Sequence, residues 1–109
     1  MTAKEKGERA ARLRDVLRYE PETGHFYWMW GKRAGSRAGR VHHSGYREIW
    51  FEYEHFLEHR LAWLFVHGKW PDGDLDHRDR NRANNAIANL RKATPSQNGA
   101  NTAAIRGGL

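Results

Sequence analysis

The sequence predicts an α+β domain, in which a small antiparallel sheet and a core helix are followed by two short strands and a final helix. Two stretches within 25–51 are rich in aromatic and β-branched residues and are bounded by turn residues, which is typical of strands. Apolar residues over 56–67 recur at helical spacing. The sequence Thr-Pro-Ser-Gln at 94–97 is typical of a helix start. The 109 residues are enough for one domain with a modest core.

The composition narrows the class of protein. The chain has no cysteine, which excludes disulfides and thiolate metal sites and fits a reducing compartment. A net charge of +6 favours a polyanionic partner, of which nucleic acid is the commonest. No apolar run approaches the ~18 residues that a membrane helix needs, and the N-terminus has no apolar signal core. We therefore expect a cytoplasmic, basic protein.

The first half of the chain predicts a scaffold of one helix and several strands. The expected elements are an amphipathic helix over 4–18, a turn over 19–24, a strand over 25–30 and a β-hairpin over 40–51 with its turn at 44–45. His42 and His43 precede that turn. Because neighbours on a strand point to opposite faces, the two rings are not expected to share a metal ion.

The glycine-rich loop over 31–39 carries Lys32, Arg33 and Arg37. Glycines let a backbone approach a phosphate closely, and the cations supply charge for it. The alternative is a mobile surface loop without a ligand, and the sequence favours neither interpretation.

A core helix is predicted over 56–67, and Gly68 fits the position after its last residue. Its apolar stripe consists of Leu57, Leu61, Leu64 and Phe65. His59, near its start, is interpreted as a hydrogen-bonded structural residue rather than a phosphate contact.

The stretch 75–98 contains the residues with the clearest chemical potential. Asp76 and His77 lie on a predicted strand, a polar loop over 78–85 follows, and a brief strand ends near residue 93. Asn98 lies in the first turn of a helix predicted from Pro95 to about residue 105. Two strands and a helix start can bring such side chains to one point. The order therefore predicts a ββα site.

The residue types at this site suit phosphodiester hydrolysis. A neutral imidazole accepts a proton near neutral pH, which makes His77 the candidate general base. Oxygen ligands suit Mg²⁺ or Mn²⁺, and Asp76 with Asn98 would form such a set. Asn89 is better suited to fixing the polar loop through backbone hydrogen bonds. Since a regular strand points Asp76 and His77 apart, both can serve one site only if the strand ends or twists there.

Several motifs give the chain a resemblance to the small HNH endonucleases that are common in phages and mobile introns. They are HRLAW at 59–63, GKWP at 68–71, LDH at 75–77, NNAIANLR at 84–91 and SQN at 96–98, together with YEPETGHFYW at 19–28 and GY at 45–46. The match is specific and covers most of the chain. It indicates the homing-endonuclease-like branch in which Asn98 replaces the last histidine.

The resemblance implies a fold, an activity and a set of residues. The fold is a single domain over 1–109, with a helix and sheet scaffold over 1–58 that grips DNA, and a core helix and ββα-metal (His-Me finger) HNH motif over 59–105. The activity is metal-dependent cleavage or nicking of double-stranded DNA. His77 is the implied base, Asp76 and Asn98 hold one Mg²⁺ or Mn²⁺, and Asn89 completes the catalytic set by holding the loop.

The cations expected to contact DNA lie in the glycine-rich loop, the hairpin and the polar loop. They are Lys32, Arg33, Arg37, Arg40, Arg47, Arg78, Arg80 and Arg82. We expect no further DNA-binding module after Asn98, which is compatible with a weakly specific nickase. The sequence leaves open whether one or both strands are cut and whether the protein acts as a monomer or a homodimer.

Two alternatives belong to other classes of protein. The first is a DNA-binding module that keeps the HNH fold and cleaves little or not at all. The second is a structural or RNA-binding protein whose aromatic strands stack single-stranded bases. We expect Trp28, Trp30, Trp50 and Trp63 to fill the core instead, which disfavours the second alternative.

Overall fold

The structure, a computed structural model, describes residues 3–93, with side chains from residue 8 onward. Its helices are α1 (Ala3–Val16) and α2 (Glu58–His67). Its strands are β1 (Leu17–Glu20), β2 (His25–Trp28), β3 (Arg40–Val41), β4 (Arg47–Phe51), β5 (Glu54–Leu57), β6 (Leu75–His77) and β7 (Leu90–Lys92), and one turn of 3₁₀-helix spans Ile87–Asn89. The predicted α+β class is confirmed. The helix predicted from Pro95 lies outside the described residues.

Three small antiparallel sheets enclose one core within the described range. They are β1–β2, β3–β4–β5 and β6–β7. Leu13 of α1, Phe26 of β2, Ile49 of β4 and Leu61 of α2 are fully buried in one apolar cluster, and Leu90 of β7 joins them. The β6–β7 pair is therefore packed on the same core as the N-terminal elements. Neither described helix is long and apolar enough to cross a membrane.

The first helix ends earlier than the sequence predicts. Leu17 and Arg18 are extended, and β1 pairs with β2 in the register that sets Leu17 opposite Trp28. Leu17 is 2% exposed. Its apolar side chain fits either a helix face or a strand face, so helical spacing alone could not place the boundary. Cross-strand pairing with an aromatic strand decides it.

The sequence also gave no sign of strand β5. Phe56 pairs with Ile49 across β4 and β5, so the core helix begins at Glu58 rather than Phe56. The turn between the two strands holds Glu52 and Tyr53 at φ +50° and +66°. Such a turn is usually marked by Asn-Gly or Asp-Gly, and neither is present here.

The remainder of α2 matches its prediction. Leu61 and Leu64 are buried, and Gly68 ends the helix in the left-handed conformation with its N–H bonded to the Leu64 carbonyl. Leu57, which was expected in the apolar stripe, is 40% exposed because it belongs to β5.

The predicted burial of the tryptophans is only partly correct. Trp28 is buried and Trp63 packs against the core, but Trp30 and Trp50 are 69% and 53% exposed. Trp30 lies beyond the end of β2, where its indole N–H donates to the Asp15 carbonyl. Aromatic content predicts strands here but does not tell which face of a strand is covered.

His42 and His43 lie in the turn of the hairpin rather than on a strand. Strand β3 ends at Val41, so the two histidines belong to the turn, and their ring centroids lie 3.9 Å apart. The His42 Nδ1 atom accepts the Ser44 N–H at 3.1 Å. The argument from strand alternation therefore did not apply to them.

Candidate active site

His77 is the last residue of β6 and turns its ring toward the interior. It pairs across the sheet with Leu90, a core residue, and is 5% exposed. Its ring centroid lies 5.2 Å from that of His59 and 6.1 Å from that of Tyr46. The imidazole is therefore enclosed by α2, by the residue before β4 and by the polar loop.

One hydrogen bond indicates which nitrogen of the His77 imidazole carries the proton. The His77 Nε2 atom lies 2.9 Å from the Asn85 Oδ1 atom, and both side chains are buried. Because an amide oxygen only accepts, Nε2 carries the proton in this arrangement. In neutral imidazole the other nitrogen, Nδ1, is then an acceptor. This is the form a general base requires.

Asn85 is held in place from the N-terminal half of the chain. The Tyr19 hydroxyl donates to its backbone carbonyl at 2.5 Å. Gly24, at φ +80°, packs so closely that a Cβ there would lie 2.1 Å from the Asn85 carbonyl carbon. The Ile87 N–H donates to the Pro21 carbonyl at 3.1 Å. The turn between β1 and β2 is thus a support for the polar loop.

The second buried polar group in this part of the molecule is the carboxyl of Glu58. Glu58 is fully buried, and its Oε2 atom accepts the Arg47 Nε–H at 3.0 Å. Burial raises the pKa of Glu58 to about 7, and the charge of Arg47 limits the rise. Gly39, at φ +89°, makes room for the carboxylate, since a Cβ there would lie 2.0 Å from Oε2.

Asp76 leaves the strand on the opposite face from His77. Its cross-strand partner is Arg91, whose Nη2 and Nε atoms donate to Asp76 Oδ2 at 2.8 and 3.0 Å. The Asp76 side chain is about one-third exposed. The sequence argument required the strand to end at this point, and β6 does end at His77. In the described structure Asp76 is bonded to Arg91 and His77 to Asn85, and no hydrogen bond joins the two side chains.

Asn89 ties the polar loop to the end of the 3₁₀ turn. Its amide nitrogen donates to the Asp79 carboxylate and to the Asn84 carbonyl, each at 2.9 Å. Its amide oxygen accepts the Asp79 N–H at 3.0 Å. These three bonds close the loop that begins after His77. The geometry is that of the loop-holding residue the sequence suggested, and its part in catalysis stays a prediction.

His59 borders His77 without a hydrogen bond at its Nδ1 atom, which is buried. Its ring stacks on Tyr46 with centroids 5.3 Å apart. Burial, and then the neighbouring His77, lower the pKa of His59 to about 4. His59 is therefore neutral at physiological pH, and the predicted hydrogen-bonded role is not seen at Nδ1.

The candidate DNA contacts divide into buried, paired and exposed cations. Arg47 is 8% exposed and donates to Glu58 and to the Ala38 carbonyl, so its prediction as a surface contact is wrong. The strand alternation turned it toward the core, where the buried carboxylate compensates its charge. Arg40 is exposed and pairs with Glu48 at 3.2 Å.

The other cations are exposed at two places. Lys32, Arg33 and Arg37 lie in the loop after β2, with the Arg33 guanidinium 4.6 Å from the Trp28 ring centroid. Arg78, Arg80 and Arg82 lie in the loop after His77. Arg82 stacks on Tyr46 and donates to the Ser44 carbonyl at 2.8 Å. The second group is the one that adjoins the candidate base.

The predicted metal ligands are only partly described. Among residues 3–93 no three His, Cys, Asp or Glu side chains converge as a metal site would require, and Asn98 lies outside this range. Asp76 offers Oδ1, which takes no part in the Arg91 pair. A carboxylate oxygen that takes no part in an ion pair is a donor that hard ions prefer. The donor chemistry therefore fits Mg²⁺ or Mn²⁺.

Sequence reasoning missed Glu58 and undervalued Asn85. The sequence placed Asn85 only at the end of the polar loop, and the structure shows that its partner is His77. A signal for Glu58 was present: on a helix it shares a face with Leu61, Ala62 and Phe65, which is a core position for a charged residue. A charged residue at a core position needs a partner, and the partner is Arg47.

Comparison with known proteins gives the family and the fold that this chain is similar to. Residues 56–100 match the HNH endonuclease family. The fold is similar to the solved structure of the HNH homing endonuclease I-HmuI, which binds and cleaves DNA, with 26% sequence identity and a TM-score of 0.58. The similarity covers 83% of this chain and 53% of that one, so the chain spans about half the length of that structure. No curated protein matches the chain. The resemblance to the HNH endonucleases is thereby confirmed.

Proposed function

We propose that this protein is a metal-dependent DNA endonuclease that hydrolyses phosphodiester bonds. The observation that carries the proposal is the buried hydrogen bond between His77 Nε2 and Asn85 Oδ1. It holds the imidazole in the form whose Nδ1 atom can accept a proton from water. A positioned base of this kind contributes roughly 10²–10⁴-fold to a rate.

The remaining roles follow from the residues around this base. Asp76 through Oδ1, together with Asn98, would hold a divalent ion. Such an ion, when bound, neutralises charge on the phosphate and on the leaving oxygen. Arg91 keeps the Asp76 side chain oriented through its paired oxygen. Asn89 holds the loop, and its hydrogen bonds fix the backbone that follows His77.

The proposed substrate is double-stranded DNA. Arg78, Arg80 and Arg82 present positive charge on the loop next to His77, where a scissile phosphate would lie. The similar I-HmuI structure is of a protein that binds and cleaves DNA. A monomer has one such site and would nick one strand, whereas cleavage of both strands needs a dimer or two encounters. Action in the cytoplasm, in a phage or mobile-element setting, stays a prediction.

Conversion of supercoiled plasmid tests the activity. Wild-type protein with Mg²⁺ or Mn²⁺ is expected to give open circles, and a chelator is expected to stop the reaction. His77→Ala should lower the rate by roughly 10²-fold or more, because the base is lost, while DNA affinity stays within about twofold. Asp76→Ala should raise the metal concentration needed for half-maximal rate.

The alternative of a DNA-binding module with little cleavage has one observation in its favour, which is the engagement of Asp76 by Arg91. Retained DNA binding with no plasmid conversion under any metal condition would establish that alternative. Equal loss of binding and cleavage in His77→Ala would contradict its role as base.

A further inference from the structure

Four buried polar side chains connect the core to the candidate base. Arg47 donates to Glu58 Oε2 at 3.0 Å, and Asn85 accepts from His77 at 2.9 Å. The second polar atom of each of these two side chains, Glu58 Oε1 and Asn85 Nδ2, is buried and makes no hydrogen bond in the described structure. Burial raises the pKa of the Glu58 carboxyl, and interaction with the Asn85 side chain is the smallest of the effects that limit this rise.

The two atoms are complementary. A carboxylate oxygen accepts and an amide nitrogen donates, so a small approach would satisfy both. A buried polar atom without a partner costs roughly 1–3 kcal/mol, which favours that approach. Gly39 leaves the space in which the carboxylate lies. The arrangement is therefore a built polar site rather than an accident of surface packing.

The direction of the amide depends on what Glu58 presents to it. Above its pKa of about 7, Glu58 is ionised and offers only acceptors, so in that pH range Asn85 turns its nitrogen toward Glu58 and its oxygen toward His77. His77 then must carry its proton on Nε2. If position 58 presented a donor instead, Asn85 would turn its oxygen toward that donor and its nitrogen toward His77. The proton of His77 would then move to Nδ1, and the base would be lost.

We propose that Glu58 is a positioning residue that acts through Asn85 to hold His77 in the tautomer with hydrogen on Nε2. The inference rests on the proposed role of His77 as the general base. Arg47 contributes by fixing one oxygen of Glu58, which leaves the other oxygen directed toward Asn85.

Glu58→Gln tests the proposal, because it replaces one carboxylate oxygen by an amide NH₂ and leaves the shape of the side chain nearly unchanged. Arg47 Nε–H requires the oxygen of the new amide, which directs the amide NH₂ toward Asn85. We expect Asn85 to reverse and His77 to adopt the Nδ1–H tautomer. Imidazole nitrogen–proton NMR correlation on metal-free protein reports the tautomer directly. The His77 signal is assigned as the one that disappears in His77→Ala. The cleavage rate should fall by roughly 10²-fold.

A double variant distinguishes positioning from general damage. In Glu58→Gln combined with Asn85→Asp, the carboxylate is moved from position 58 to position 85. It accepts both the amide NH₂ at position 58 and the His77 Nε2–H, so the Nε2–H tautomer and most of the cleavage rate should return. A merely structural role for Glu58 predicts no such rescue.

Glu48→Gln is the matched control. Glu48 is also a buried glutamate, but its two carboxylate oxygens are already bonded to His55 and Arg40, so neither of them lacks a partner as Glu58 Oε1 does. Its substitution should leave the His77 tautomer unchanged. If Glu58→Gln does not fold, Asn85→Ala replaces it, and a mixture of both tautomers is expected because the acceptor is gone.

The tautomer measurement tests the role of Glu58, and the cleavage measurement tests the role of His77, so the two proposals can fail separately. A folded Glu58→Gln protein that keeps the Nε2–H tautomer overturns the relay, even if His77→Ala abolishes cleavage. A tautomer change of equal size in Glu48→Gln overturns it as well, and so does an unaltered tautomer in Asn85→Ala. A tautomer switch with an unaltered cleavage rate supports the relay and contradicts the role of His77 as base.

Discussion

Two polar networks adjoin His77, and they differ in their exposure to solvent. The buried network consists of two hydrogen-bonded pairs, His77 with Asn85 and Glu58 with Arg47, and each pair holds one buried polar atom without a hydrogen bond in the described structure. The exposed network centres on Asp79, which accepts from Asn81, Asn84 and Asn89. Hydrogen bonds, the one from Asn84 foremost, lower the pKa of Asp79.

The difference in solvent exposure decides whether a network can control the position of a proton. In the exposed loop, water compensates any group that loses its partner, so those hydrogen bonds set the backbone path and little else. In the interior, each proton position is determined by its neighbours, because water is not there to replace a partner. Only the buried network can therefore control which nitrogen of His77 is free.

The largest expected effect is on the pH dependence of stability, and it arises from two buried titratable groups near His77. Burial raises the pKa of Glu58 to about 7, so its contribution to the free energy of unfolding falls as pH rises from 4.5 to 7. Burial lowers the pKa of His59 to about 4, so its contribution falls as pH drops from 6.5 to 4. The two slopes oppose each other and should nearly cancel in the wild type.

Replacing one of the two groups should reveal how the free energy of unfolding depends on pH through the other. Between pH 4.5 and 6.5, Glu58→Gln should become more stable with rising pH, and His59→Phe less stable. Each change is on the order of 3 kcal/mol at most, at about 1.4 kcal/mol per pKa unit. Denaturant unfolding at several pH values measures both. Parallel slopes in the two variants would show that neither group is buried in its unusual protonation state.

The next effect concerns the exposed network. Asn89→Ala removes three hydrogen bonds and should lower the free energy of unfolding by about 1–3 kcal/mol. Asn81→Ala is the control, since within the described residues the Asn81 side chain accepts only the Ala83 N–H, and it should cost less than about 1 kcal/mol. Thermal unfolding compares them. An unchanged melting temperature in Asn89→Ala would remove its loop-holding role.

The smallest effect is expected at the loop surface. Arg78→Gln should weaken DNA binding modestly at every sequence and reduce the slope of log affinity against log salt by about 0.9, if Arg78 neutralises one phosphate. Arg18 is an exposed control on β1, where it stacks on Tyr27, and Arg18→Gln should leave the slope unchanged. Salt titration of fluorescence anisotropy measures both. Equal slopes in the two variants would place the DNA elsewhere on the surface.

Local patterns determined much of this protein. The spacing of Leu61 and Leu64 and the position of Gly68 predicted most of α2, and the Asp-His pair was correctly expected at the end of a short strand. The polar loop and the short strand after it were also predicted. These features depend on a few neighbouring residues, which the sequence displays directly.

Only the tertiary structure decided what surrounds His77. Glu58 and Asn85 meet because α2, the turn at Gly24 and the polar loop pack on one core, and Arg47 joins them from β4. Periodicity tells which residues share a face of an element, but it does not tell which face another element will cover. For the same reason the sequence placed Trp30 and Trp50 in the core and Arg47 at the surface, and packing reversed all three.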